Sequence, residues 1–533
     1  MNETGTDQGF GCGEVTAPGF PDLGVSVLWD RQPSAPPGDV NEPACFADLN
    51  LDQLVCSVIA GREEYDLRSF FYAGLTSPAL AEYRHEVFQD LERPEMRSAV
   101  DRFATDLQGM RKCLAQARAV HHRLQRSLLF LDAALAYCQA VESLASALSA
   151  AGPTSAGMRA FNDYLARHLT SAVHAGLRED ARQTERSIAQ IRYTLHIRGN
   201  RIIVGTCGQE ADYSDDVRAI FEKFSGGDAG IAERRPEFPP LLEVDHVEAG
   251  ILERVAALFP EPFADLTEFF EHRQGFADRV IGRFDREVQF YLAYLDYLRP
   301  VRAAGLAFCY PQLSEQPCQM AVSDTFDLVL AVKLVAARQH VICNDIRLTG
   351  AERLLVVTGP NQAGKTTYAR AFGQVHYLAS LGCPVPGTDA TLHLPDQILT
   401  HFDRGEDIET RGGKLHDDLV RLRDILTSAR SRSVIILNEI FTSTALADAL
   451  GLSTRLAEQI TALGCRCLWV TFLDEVSRHS PQTVSAAAVV NPDDPAVRTF
   501  RFERQPAGGR AYAQAVARQH GLGYEQVRAR IMS

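Results

Sequence analysis

A lysine and a threonine close a glycine-bounded octapeptide, Gly359-Pro360-Asn361-Gln362-Ala363-Gly364-Lys365-Thr366. The spacing G-x-x-x-x-G-K-[ST] is that of a P-loop, which wraps phosphate oxygens. Its glycines allow a tight turn, so successive backbone N–H groups converge on an anion. A helix that starts there adds the partial positive charge of its N-terminus. Lys365 is placed to reach the β- and γ-phosphates of a nucleoside triphosphate, and Thr366 to hold Mg²⁺. The flanks fit this use. Residues 353–358 read as a buried strand, and the run from Thr367 to Phe372 reads as a helix.

Such a loop needs a second strand that brings polar groups to the metal and to the attacking water. Ser433-Val434-Ile435-Ile436-Leu437-Asn438-Glu439 has that form, an apolar run ending in polar side chains. In an open α/β sheet, chemistry sits at the carboxyl ends of the strands. Glu439 is the candidate for orienting or deprotonating water, acting with Lys365. Asn438 stands where an aspartate is usual. Its amide oxygen can accept from a Mg²⁺-bound water but carries no charge, so weaker metal binding is expected. ATP and Mg²⁺ are the cofactors these residues call for.

The elements that carry these residues occupy a chain of 533 residues, too long for one ordinary domain. Residues 1–44 are rich in Gly, Pro and acidic groups and read as a tail or loose lead-in. From 45 to 325 the pattern is mainly helical. Leu124, Leu128, Leu131, Leu135 and Cys138 recur at helical spacing, as do Phe276, Val280, Phe284, Val288, Tyr291, Leu295 and Leu298. Around 193–204, Tyr193, Leu195 and Ile197 alternate with polar residues, Gly199-Asn200 offers a turn, and Ile202-Ile203-Val204 returns as a small hairpin. From 326 to 533 strands and helices alternate, with further strands at 433–437 and 465–471. No apolar run approaches the ~20 residues of a bilayer crossing. The 12 cysteines are scattered without a C-x-x-C pair, so the cytoplasm is the expected compartment. A net charge of −14 argues against nonspecific nucleic-acid binding by the whole surface. A local basic stripe, Arg111, Lys112, Arg118, Arg123 and Arg126, reads first as a solvated helix face.

Several segments together resemble the MutS family of DNA mismatch repair ATPases. They are Thr358-Gly359-Pro360-Asn361 leading into Gly364-Lys365-Thr366-Thr367, Asn344-Asp345, Gly382-Cys383-Pro384-Val385-Pro386, and Asn438-Glu439-Ile440-Phe441-Thr442-Ser443-Thr444 with Asp448. Gly509-Arg510-Ala511-Tyr512 to Val516-Ala517 completes the set. The resemblance implies a multidomain fold: a mainly α-helical core, lever and clamp region, then an α/β P-loop ATPase domain of the ABC type. It also implies that Thr367 takes part in nucleotide binding and that Val341 and Ile342 pack on adenine. It implies a homodimer in which a loop of one subunit, here Gly412, Gly413 and Lys414, completes the site of the other. DNA, whether duplex, mismatched or branched, is the implied partner, with no membrane involved. Three departures stand out. Lys414 replaces a serine, Thr471-Phe472 replaces Thr-His, and no Phe-x-Glu mismatch-reading segment precedes the helical core. A nucleotide-switched protein-binding scaffold with slow or absent hydrolysis is the competing expectation. A soluble subunit of a transporter-type ATPase is a third, weakened by the lack of an L-S-G-G-Q type signature.

Overall fold

Proline opens three long helices of the helical region, Pro78–Glu92, Pro94–Ala119 and Pro260–His272. At a first helical position its fixed φ suits the turn and its missing N–H is not needed. Side-chain caps open others. Ser155, Ser171 and Asp278 accept backbone N–H groups at the starts of Ala156–Leu169, Ala172–Ala189 and Arg279–Ala303. The structure, a computed structural model, describes residues 25–30, 41–199, 201–208, 246–316, 319–402, 413–490, 498–506 and 524–532.

Helices Pro94–Ala119 and Arg123–Ala151 turn back on one another across three residues and pack along their length. The expected stripe on the second is present: Leu124, Leu131 and Cys138 are buried, with Leu128 and Leu135 packed at the edge. Contrary to the sequence reading, Arg123–Ala151 is long and apolar enough to cross a bilayer, yet 61% of its most apolar stretch is buried inside the protein. Its interspersed Ser, Gln and Glu residues hide that length from a search for unbroken apolar runs. The other predicted stripe lies on Arg279–Ala303, where Val280, Phe284, Val288, Tyr291, Leu295 and Leu298 are all buried. Phe71 meets Phe290 of this helix at 4.8 Å between ring centres, so the Phe70–Tyr72 aromatics belong to the core. Arg111 of the basic stripe is tied to Glu64, Asp285 and Tyr65, which supports a structural role for it.

The expected hairpin is β1 (Tyr193–Arg198) paired antiparallel with β2 (Arg201–Thr206), Tyr193 facing Thr206. The reading of 1–44 as a loose lead-in needs correction over 25–30. Val25, Val27 and Leu28 are buried. Glu287 Oε2 accepts from Ser26 Oγ at 2.8 Å and from Val27 N at 2.9 Å. Arg84, wholly buried, donates to Leu28 O at 3.2 Å and to Leu381 O at 2.7 Å. Six residues are too few to show a period, and their partners lie far away in sequence.

After β3 (Phe308–Cys309), β4 (Gln312–Ser314), β5 (Met320–Thr325) and β6 (Asn344–Leu348), the chain enters the central strand β7 (Leu354–Thr358). The P-loop helix, Lys365–Ser380, leads to β8 (Val385–Pro386), β9 (Asp389–His393) and β10 (Ile398–Phe402). Then come β11 (Val434–Asn438), β12 (Arg466–Val470), β13 (Thr483–Val490) and β14 (Arg498–Arg504). The main sheet has the order β10-β11-β12-β7-β13-β14, parallel except for β14 at the edge. A smaller sheet, β4-β9-β5-β6, lies beside it, and β3 pairs with β8. All three strands read from sequence are found within a residue at each end. Both faces of the main sheet are covered, which is why its strands are continuously apolar. Leu355, Val357, Ile436, Leu468 and Val470 join the core shared with the helical region. Leu354, Val356, Ile435, Leu437 and Trp469 face Lys414–Ser428 and Leu446–Leu463 on the other side.

Glycine lets the helical region approach the P-loop helix closely. A Cβ on Gly373 would lie 2.5 Å from Leu49 Cδ2 and 2.7 Å from Ile436 Cδ1. Below this contact lie two buried histidines, His376 and His393, held neutral chiefly by burial, with pKa values lowered to about 3 and about 4. His85 in the helical region is likewise lowered to about 4. A histidine depressed on folding contributes its full stability above its unfolded pKa of ~6.5 and loses it as pH falls toward the folded value. Thermal unfolding midpoints should therefore drop by several degrees between pH 6.5 and 4. His376→Gln should flatten that slope, and a slope identical to wild type would exclude His376 as a contributor.

Candidate nucleotide site

The P-loop bridges the C-terminal end of β7 and the start of the helix at Lys365. Gly359 has φ +149°, and a Cβ there would lie 2.7 Å from that of Ala488 on β13. Gly364 at φ +91° caps the helix. Between them Pro360, Asn361, Gln362 and Ala363 form the turn, with Gln362 at φ +63° and Ala363 N bonded to Pro360 O at 3.3 Å. Asn361 and Gln362 are exposed, so the loop presents its outer face to solvent.

Lys365 is buried and folds back over this loop. Its Nζ donates to Gly359 O at 3.0 Å and to Pro360 O at 3.1 Å, and lies 3.3 Å from Glu439 Oε1. Thr366 Oγ1 donates to Asn438 Oδ1 at 3.2 Å. The structure thus brings together the four residues selected from two distant stretches of sequence. Glu439 leaves β11 in the left-handed region, φ +54°, with its N–H bonded to Val470 O at 2.9 Å. That turn points the chain away from the sheet just where the carboxylate is needed. A hydroxyl and an amide oxygen are hard, neutral donors. They suit Mg²⁺, which keeps several waters and leans on substrate phosphates rather than on a protein cage.

A cavity of about 680 Å³ opens beside these residues, within the range for a nucleotide-sized ligand. Its wall includes Asn361, Gln362, Gly364, Lys365, Thr366, Thr367 and Glu439 at one end. Val341 and Ile342 line it too, where an adenine contact is expected. Gly413, at φ +74°, and Lys414 lie at the start of their helix and outside the cavity wall, while Gly412 lies outside the described residues. Phe472 is half exposed and also away from the cavity.

Sequence reasoning missed Phe500. This residue of β14 sits at φ +55°, lines the cavity and is 46% exposed. Asn344 holds the kink: its Nδ2 donates to Phe500 O at 3.0 Å and its Oδ1 accepts from Phe502 N at 2.8 Å. Phe502 packs on Tyr368 at 4.8 Å between ring centres. Two phenylalanines two apart read as one strand face. The left-handed residue separates them, and nothing in the sequence marks it.

A phosphate-wrapping loop on the central strand of a parallel sheet, facing polar groups at the end of a neighbouring strand, defines a P-loop nucleotide-binding domain. Residues 355–526 match the family model described as MutS domain V. A DNA mismatch repair protein MutS from Sorangium cellulosum is 33% identical over 291 residues, 52% of this chain and 30% of that protein. The namesake from Shouchella clausii is 32% identical over 197 residues, 36% of this chain and 22% of that protein. That from Thermotoga maritima is 26% identical over 187 residues, 34% and 24% of the two chains. The chain thus spans less than a third of the length of these relatives. Over about half its own length the chain is similar to MutS proteins, and the MutS domain V match falls on the P-loop domain described above.

Proposed function

We propose that the chain is an ATP-dependent DNA-binding protein of the MutS type, a dimeric ATPase clamp acting in DNA repair or recombination. The observation that carries this reading is the convergence of Lys365, Thr366, Asn438 and Glu439 at one end of a nucleotide-sized cavity. Lys365 would exchange its loop carbonyls for phosphate oxygens, releasing the Glu439 carboxylate to orient a water. Thr366 and Asn438 would hold Mg²⁺, which supplies charge neutralisation for the phosphates. DNA contacts would fall mainly on phosphates, favouring shape over base sequence, with branched or bent DNA as a fitting substrate. Nucleotide binding would alter the contacts of loop 412–414 with the partner subunit, and the long helices would transmit that change.

The test is steady-state ATP hydrolysis with and without duplex and branched DNA, with Lys365→Ala as the blank. Glu439→Gln should cut turnover about 100-fold or more while ATP binding persists. Turnover that responds to DNA supports the clamp. Turnover indifferent to DNA, with ATP still bound, supports the second reading, a nucleotide-switched protein scaffold. The uncharged Asn438 beside Thr366 is the feature that favours that alternative.

A further inference from the structure

The nucleotide cavity extends well past the P-loop. Along the helix its wall runs from Lys365 to Ala371, about 9 Å at 1.5 Å per residue. Its far end is built from Thr325, Phe326, Asp327, Leu330 and Leu334, none of them selected from sequence. Thr325 is 1% exposed, and its hydroxyl has no hydrogen-bond partner among the described residues. A buried polar group without a partner is costly, and native proteins rarely retain one.

The backbone places this hydroxyl by a specific device. β5 pairs regularly with β6 as far as Val322 opposite Ile346, and the register then shifts so that Thr325 faces Asn344. Asp324, inside the bulge, sits at φ +53°, its N–H bonded to Asp345 Oδ1 at 2.9 Å. Without the shift, position 324 would continue the buried alternation of Met320 and Val322. The bulge puts Thr325 there instead, and bulges commonly re-aim a side chain at a site. Asn344, opposite Thr325, is the residue that holds Phe500. Asn344 thus links Thr325, at the far end of the cavity wall, to Phe500, which lies beside Gly364 of the P-loop.

We propose that Thr325 is a specificity-determining residue that hydrogen-bonds the edge of the nucleotide's base through its hydroxyl. The proposal rests on the nucleotide reading of the P-loop. A hydroxyl can donate to a ring nitrogen or accept from an exocyclic amine, so it suits the edge of an aromatic base lying in the cavity. Phosphates alone would not reach it.

The experiment compares Thr325→Val, which keeps the shape and removes the hydroxyl, with wild type. Affinities are measured for ATP, for purine riboside triphosphate lacking the exocyclic amine, and for inorganic tripolyphosphate lacking a base. ATP affinity should fall about 3- to 30-fold, and tripolyphosphate affinity should be unchanged. If the amine is the partner, the variant should no longer distinguish the two nucleosides. Thr325→Ser, which restores a hydroxyl, should recover most of the loss. Equal losses for ATP and tripolyphosphate, or no loss for ATP, would overturn the role of Thr325. Failure of the P-loop reading is separate: neither ligand would then bind wild type, and Lys365→Ala would change nothing.

Discussion

Lys365→Ala is expected to weaken nucleoside triphosphate binding about 100-fold and to leave the protein folded. The first half follows from charge. A hydrogen bond to an ionised group contributes about 1.5–3 kcal/mol, and a lysine poised over a phosphate chain makes more than one. The second half follows from where the side chain now points. Its Nζ bonds two loop carbonyls, Gly359 O and Pro360 O, and one carboxylate, Glu439. Glu439 is more than a third exposed and can be solvated once its partner is gone, so the ion pair itself contributes at most about 1 kcal/mol. Gly359 and Pro360 are only half buried, so water can replace the lysine at their carbonyls. Titration with a fluorescent ATP analogue reads the first effect, and the thermal midpoint reads the second. Unchanged affinity with an unchanged midpoint would refute phosphate binding at this loop. A collapsed midpoint would show instead that the lysine holds the loop together.

The parts legible in the sequence are those whose physics is local. The P-loop needs eight consecutive residues, and β7, β11 and β12 announce themselves as apolar runs because both faces of the sheet are covered. The hairpin was legible from strict alternation around Gly199. What sequence missed depends on distant partners or on single backbone angles. Residues 25–30 are fixed by Glu287, 261 positions from Ser26. Phe500 and Thr325 are both aimed by left-handed residues, Phe500 itself and Asp324, neither of them a glycine. Such residues cost energy that the surrounding bonds, chiefly those of Asn344 and Asp345, offset. Local propensity therefore predicts against the conformations that shape the cavity wall. The partner-subunit role proposed for residues 412–414 would be of the same kind, since its contacts would lie outside a single chain.

Asn438→Asp is expected to turn nucleotide binding from weakly to strongly Mg²⁺-dependent. In the native chain the Thr366 hydroxyl donates to the Asn438 amide oxygen at 3.2 Å, and both are neutral. Glu439, the next residue, has its carboxylate engaged by Lys365. Thr366 and Asn438 would thus offer a bound Mg²⁺ no negative charge, and the phosphates would supply most of what holds it. A carboxylate at 438, nearly buried and close to the P-loop, would add a full charge in a region of reduced dielectric. At an effective dielectric near 20, two unit charges 4 Å apart interact by about 4 kcal/mol. That attraction favours a bound divalent cation. The same charge repels bare phosphates when the cation is chelated. The two effects act in opposite directions on the two measurements, so their ratio is the sensitive quantity. The affinity for ATP in Mg²⁺ divided by that in EDTA should rise about 10-fold or more over wild type. The disposition of Thr366 is part of the same test, because an aspartate can still accept its hydroxyl and the local geometry need not change. An unchanged ratio would mean that the metal is held away from Asn438, and the β11 strand end would then serve the water through Glu439 alone. A raised ratio with faster hydrolysis would identify the missing charge as the feature that limits turnover in this chain.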